Sequence, residues 1–147
     1  APCHKLTFPW RFYSIGLDKR KEILSLAIEL KSKDNKLNDK AINIIKDKYL
    51  NPSHLLVVSQ ILSNNKFTLK EDYAACSCAI QNLAISMASK GVSIKWSSGS
   101  ITRNPKVYEI ININATKEEI IGFIWVGYGK KPLKISRPSI NEIFKQI

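Results

Sequence analysis

Along the chain the spacing of apolar residues changes period several times, and each change marks an element. Trp10-Arg11-Phe12-Tyr13-Ser14-Ile15 is aromatic and β-rich and is closed by Gly16, the pattern of a strand. From Lys19 to about Lys33, Ile23, Leu24, Ala27, Ile28 and Leu30 recur at helical spacing with charges between them, which predicts an amphipathic helix with a charged outer face. Asp39 to Leu50 repeats the pattern through Ala41, Ile44, Ile45 and Tyr49, and Asn51-Pro52 stops it. Leu55 to Leu62 is a short apolar run between turn signals and predicts a buried strand.

Lys66 to Lys70 reads as a loop. From Glu71 to Lys90 nothing breaks a helix, and Ala74, Ala75, Cys76, Ala79, Ile80, Leu83, Ala84, Ile85, Met87 and Ala88 make it apolar on most sides. A helix of that kind is expected to be central and packed on several faces. Gly91 suits a left-handed C-cap, and Val92 to Trp96 forms a second short strand. Asn104-Pro105 reads as an N-cap with Pro at the first helical position, opening a short helix through Val107, Tyr108 and Ile111. Thr116 to Glu119 is a short cap-like turn before the buried strand Ile120 to Gly127. Ser139-Ile140-Asn141-Glu142 fits a capping box that starts a final helix through Ile143 and Phe144.

The order is strand, two helices, strand, long helix, strand, helix, strand, helix. It lacks strict βαβ alternation, so the expected class is α+β, in one domain over residues 1–147. The glycine-containing stretches match neither a dinucleotide fingerprint nor a Walker A loop, which argues against Rossmann and P-loop enzymes. No apolar run is long enough to span a bilayer, and a chain with 44% hydrophobic and 24% charged residues reads as globular. Ala1-Pro2-Cys3 is an unusual beginning, expected of a processed chain or a fragment.

Charge and cysteine change the picture only slightly. A net charge of +11 favours anionic partners, but the basic residues are spread through Lys19 to Lys21, Lys31 to Lys48, Lys66 to Lys70 and Lys130 to Lys134, mixed with acids. A basic nucleic-acid-binding domain is therefore a weaker alternative, with no aromatic-basic recognition motif. Cys76-Ser77-Cys78 lies in a helix where i and i+2 diverge, and Cys3 stands alone, so no zinc site is expected. Reduced thiols in a cytoplasmic compartment are the simpler account.

Acid–base machinery is sparse. His54, before a buried strand, is expected to be a hydrogen-bonded structural histidine, and His4 lies in an irregular N-terminal stretch. Such a chain can still be an enzyme when a cofactor carries the reaction, and no side chain is then required as a catalytic nucleophile. Flavin chemistry fits: backbone N–H groups of Ser97-Ser98-Gly99 can meet the electron-rich ring edge, while Arg or Lys holds a phosphate.

Four segments, "APCHKLTFPWRFYSI", "QNLAISMASKGVSIKWSSGSITRNPKVYEII", "EEIIGFIWVGYGKKP" and "SRPSINEIF", together resemble in order the NAD(P)H-dependent FMN nitroreductase family, most of all its compact bacterial members. The resemblance covers nearly the whole chain. It implies a sandwich with a central, mainly antiparallel sheet flanked by helices, and a homodimer with FMN at the subunit interface. It implies NAD(P)H as co-substrate and a nitroaromatic, quinone or related acceptor, reduced by ping-pong hydride transfer. On matching positions, His4 would reach the FMN of the partner subunit, and Trp96, Ser97 and Ser98 would lie along the flavin, with Gly99 allowing close approach. Ser86, Met87, Ala88, Ser89, Lys90 and Gly91 match a segment credited with nicotinamide contact, and Arg137 a phosphate-binding position.

The chain also departs from the family pattern. The helix and R-R-S-x-R segment that grip the FMN phosphate would lie before Ala1, so the domain is expected to be N-terminally incomplete. Phe8 stands where a polar residue usually precedes Pro9-Trp10. Lost phosphate contacts of about 1.5–3 kcal/mol each would weaken FMN binding. A non-enzymatic relic of the same fold, with weak or no FMN binding, is thus the main alternative.

Overall fold

The computed structural model describes residues 1–34, 36–129 and 134–147. Its elements are β1 (Trp10–Ser14), α1 (Leu17–Asp34), α2 (Asp39–Leu50), β2 (His54–Ile61), α3 (Lys66–Ala88), β3 (Ser93–Ser97), α4 (Pro105–Ile111), β4 (Glu118–Gly127) and α5 (Ile140–Ile143), with 3-10 turns at His4–Leu6 and Ser100–Arg103. The four strands form one antiparallel sheet in the order β1-β2-β4-β3. Alternation along β2 and β4 sends Leu55, Val57, Phe123 and Trp125 to the face covered by α1, α2 and α4. Val58, Ile124 and Val126 point to the opposite face, against Cys76 and Ile80 of α3. This helix–sheet–helix sandwich confirms the α+β reading.

Local chemistry explains most boundaries. Asn38 caps α2 by accepting the Ala41 N–H, Asn104 caps α4 by accepting that of Lys106 with Pro105 behind it, and Ser139 and Glu142 form the capping box of α5. Gly91 has φ +71, the left-handed conformation that lets the chain leave α3 and turn into β3.

Three expectations need correction. Lys66–Lys70 is not a loop but the first turn of α3, because the Asn65 side chain accepts the N–H groups of Phe67 and Thr68 and nucleates the helix earlier. Nor is α3 packed on several faces within this chain: it buries Asp72, Ala75, Cys76 and Ile80 against the sheet, while Tyr73 and Ile85 on its outer side are exposed. His54 is the exposed first residue of β2 rather than a residue before it, and no side-chain hydrogen bond holds it among the described residues. The basic run Lys130–Leu133 lies outside the described residues.

One irregularity shapes the edge of the sheet. Val58 pairs with Gly122 but Ser59 pairs with Ile120, so Ile121 is an extra residue, a β-bulge that turns its side chain toward α3 while Ile120 stays with α1 and α2. Because β3 ends level with Phe123, the stretch of β4 before it has no strand on the side away from β2. Side chains take over its backbone groups: the Tyr108 hydroxyl accepts the Ile120 N–H at 3.0 Å, and the Trp96 indole donates to the Ile121 carbonyl at 3.3 Å. The indole lies over Gly122 so closely that a Cβ there would overlap its Nε1 and Cδ1 atoms.

Substituting Gly122→Ala should therefore destabilise the fold by about 1–3 kcal/mol, read from urea midpoints. In a Trp96→Ala background the same change should cost less than about 1 kcal/mol. Equal costs in both backgrounds would show that the indole is not what excludes a side chain at position 122.

Candidate functional site

The site begins with a buried cation. Arg20 of α1 is only 6% exposed and meets no carboxylate among the described residues; its Nε donates to the Tyr49 carbonyl at 2.8 Å and its Nη2 to that of Pro52 at 2.6 Å. The guanidinium thereby satisfies the C-terminal end of α2 and the turn into β2, where carbonyls and the helix dipole favour positive charge. With that end fixed, Tyr49 meets Trp125 edge-to-face at 4.9 Å, and the Lys48 ammonium lies 5.7 Å from the Tyr49 ring centre and 5.4 Å from that of Trp125.

Above this layer lies a cavity of about 170 Å³, walled by Ala27, Leu30 and Lys31 of α1, by Ile44, Ile45, Lys48 and Tyr49 of α2, and by Gly99, Ser100 and Ile101. It combines an apolar slot with two cations and a stretch of exposed main chain. Burial lowers the pKa of Lys48, and repulsion from Lys95 and Lys31 lowers it further. Burial pushes the Tyr49 phenol up to about 12. Gly99 has φ −70, an ordinary backbone conformation, and open space where its side chain would be. Its carbonyl is taken by the N–H and hydroxyl of buried Thr102, which anchors the loop from behind and leaves its front free.

The residues singled out from sequence fall into separate groups. Of Ser97, half-buried, and Ser98 and Gly99, exposed, only Gly99 lines the cavity; the two serines lead into it along the chain. Trp96 alternates to the other side of β3, over Gly122 on the α3 face. His4 also belongs to the α3 face: its Nδ1 is 3.8 Å from Glu71, and the two flank a cavity of about 240 Å³ with Cys3 and Cys78. Among the described residues, then, His4 and Gly99 line different cavities. Ser86, Met87 and Ala88 end α3, Ser89, Lys90 and Gly91 form the turn that follows, and only Met87 is half-buried. Arg137 is exposed in the irregular segment before α5.

Sequence reasoning missed Lys31, Lys48, Tyr49 and Ile101. Lys48 carried a usable signal, since it precedes the buried Tyr49 on a helix whose C-terminal turn faces the sheet. Lys31 and Ile101 meet it only through the packing of α1 and the 3-10 turn, which no local pattern encodes.

The sequence profile of the nitroreductase family matches residues 1–128. YfhC of Bacillus subtilis (strain 168), whose name provisionally gives it as an NAD(P)H nitroreductase, is 32% identical over 151 residues, covering 100% of this chain and 77% of its own. The crystal structure of a nitroreductase-like family protein from Bacillus cereus superposes with a TM-score of 0.83 at 27% identity, over 100% of this chain and 78% of the other. The FMN and NADPH-dependent nitroreductase NfnB from Sphigopyxis sp. strain HMH shares the fold, with a TM-score of 0.76 at 10% identity over 99% of this chain and 83% of the other.

Burial of the Tyr49 phenol predicts an alkaline weakness. Its folded pKa of about 12 lies above the ordinary 10.0, so the neutral form stabilises the fold fully below pH 10 and that contribution is lost as pH rises through 12. Tyr49→Phe should therefore lose less stability than the parent between pH 9 and pH 12, by on the order of 2 kcal/mol in urea titrations. Identical losses would contradict a buried neutral phenol.

Proposed function

Because the chain belongs to the nitroreductase family, we propose that it is an FMN-dependent oxidoreductase that takes reducing equivalents from NAD(P)H and passes them to a nitroaromatic, quinone or related acceptor. The observation that carries this reading is the cavity between α2 and the Gly99–Ile101 segment, where an apolar slot, the lysines Lys31 and Lys48 and open main chain converge. When bound, FMN supplies the hydride chemistry. The chain would hold and tune it: the N–H groups of Ser97, Ser98 and Gly99 would meet the ring edge, Ile45 and Ile101 would exclude water, and Lys48 would offset negative charge beside the ring. No residue need act as nucleophile. Donor and acceptor would use the same face in turn, consistent with a ping-pong cycle.

A homodimer completes the site in this reading. Tyr73 and Ile85 on the outer side of α3, and Ile140, Ile143, Phe144 and Ile147 at the C-terminal end, leave extended apolar surface uncovered within one chain. A second copy would cover it and bring the partner's His4 to the flavin, which accounts for the absence of a shared cavity between His4 and Gly99 in one protomer. Trp96 supports the loop through its bond to Ile121 rather than by lining the slot, and Ser86 to Gly91 with Arg137 would act only across that assembly.

The native protein should be yellow, release FMN on denaturation and oxidise NAD(P)H only when an acceptor is present. Because Gly99 has an ordinary backbone conformation, Gly99→Val should change stability by less than about 0.5 kcal/mol while weakening FMN binding tenfold or more, measured by quenching of flavin fluorescence. A colourless protein that stays inactive with added FMN would support the relic instead, and unchanged FMN affinity in the variant would place the ring elsewhere.

A further inference from the structure

On the α3 face lies a buried carboxylate that the slot beside Gly99 does not use. Asp72 is 5% exposed and is salt-bridged to no cation among the described residues. A carboxylate taken out of water needs donors, and its Oδ1 accepts the Thr7 hydroxyl at 2.5 Å. Thr7 belongs to an irregular segment that folds back on itself over residues 3–8. The Cys3 sulfur lies 3.3 Å from Thr7 Oγ1 and accepts the Phe8 N–H at 3.2 Å, while Arg11 donates to the Phe8 carbonyl at 3.0 Å. Within the segment Lys5, Leu6 and Phe8 have left-handed φ of +53, +52 and +45, a conformation in which Cβ crowds the backbone. Phe8 also precedes Pro9, where extended backbone is the rule. Three such residues in one short segment persist only where their surroundings impose them. His4 sits at the head of the segment, its Nδ1 3.8 Å from Glu71, the neighbour of Asp72 on α3.

We propose that Asp72, acting through Thr7, is a positioning residue that holds His4 where the flavin of a second copy would meet it. The assignment rests on the flavin reading above, in which His4 reaches across the dimer, and adds the residue that sets its place. The Thr7 hydroxyl ties a segment of unfavourable backbone to a helix whose Ala75, Cys76 and Ile80 are buried against the sheet. The position of His4 is thereby set by the core rather than by the segment itself. Neither Asp72 nor Thr7 need touch the flavin; both act by keeping the segment wound.

Two readouts test it, one of them independent of flavin. In flavin-stripped protein, trypsin should cut after the exposed Lys5 about tenfold faster in Thr7→Val than in the parent, as expected for one lost hydrogen bond to a charged group. Cutting after exposed Lys36, between α1 and α2, should be unchanged. Followed by flavin fluorescence, Thr7→Val should weaken FMN binding about fivefold and His4→Ala about tenfold. With His4→Ala already present, Thr7→Val should change the affinity less than about twofold. Thr7→Ser, which keeps the hydroxyl, should restore the parent values in both readouts. Unchanged cutting at Lys5, cutting that rises equally at Lys5 and Lys36, or no rescue by Thr7→Ser would overturn this assignment alone. So would a Thr7→Val loss that persists in full beside His4→Ala, since Thr7 would then act on FMN by another route. No FMN binding by the parent, or an affinity indifferent to His4→Ala, would overturn the reading of His4 and this assignment with it.

Discussion

The burial of Arg20 governs the site. A guanidinium taken out of water is costly unless its donors find acceptors, and here the acceptors are backbone carbonyls at the end of α2 and in the turn that follows. The need to satisfy that cation holds α1, α2 and the start of β2 in one arrangement. Tyr49 is then pressed against Trp125, and the exposed Lys48 lies over both rings with no carboxylate partner among the described residues. The slot beside Gly99 lies against that aromatic layer through Tyr49.

The sheet edge supplies the other half of the arrangement. β3 pairs with only the C-terminal half of β4, so the chain leaves the sheet early and crosses above it as Ser98, Gly99 and the following 3-10 turn. Trp96 and Tyr108 hydrogen-bond to the backbone that a longer strand would have paired. The loop is consequently firm from behind, through Thr102, and open in front. The α3 face carries His4 and a broad apolar surface uncovered within one chain, which a second copy would cover in the proposed dimer.

Much of this architecture was legible in the sequence because its signals are local. Asn104-Pro105, the Ser139–Glu142 capping box, Gly91 and the alternating apolar runs each specify their own stretch of backbone. The Asn65 cap is equally local, and reading Lys66 to Lys70 as a loop overlooked it. The one-sided burial of α3 was not legible, since a helix rich in Ala and Ile has the same sequence whether its outer face meets its own chain or another. Arg20 sat in a cluster of charged residues and gave no sign that it alone is buried, because its acceptors lie on another helix and a turn. For the site, the small residues from Ser97 to Gly99 were visible, but Lys48 and Lys31 become neighbours of that loop only through tertiary packing. Trp96 shows the opposite case: an aromatic adjacent in sequence to the loop lies on the other face of the sheet.

The central claim is that a flavin ring lies on the α1–α2 side of the sheet, between α2 and the main chain of residues 97–99. A crystal structure of the FMN-bound protein tests it most directly. The account predicts ring-edge atoms within about 3.2 Å of main-chain N–H groups in that loop and Lys48 beside the ring. A ring bound instead on the α3 face over Trp96, with the slot beside Gly99 empty, would contradict it.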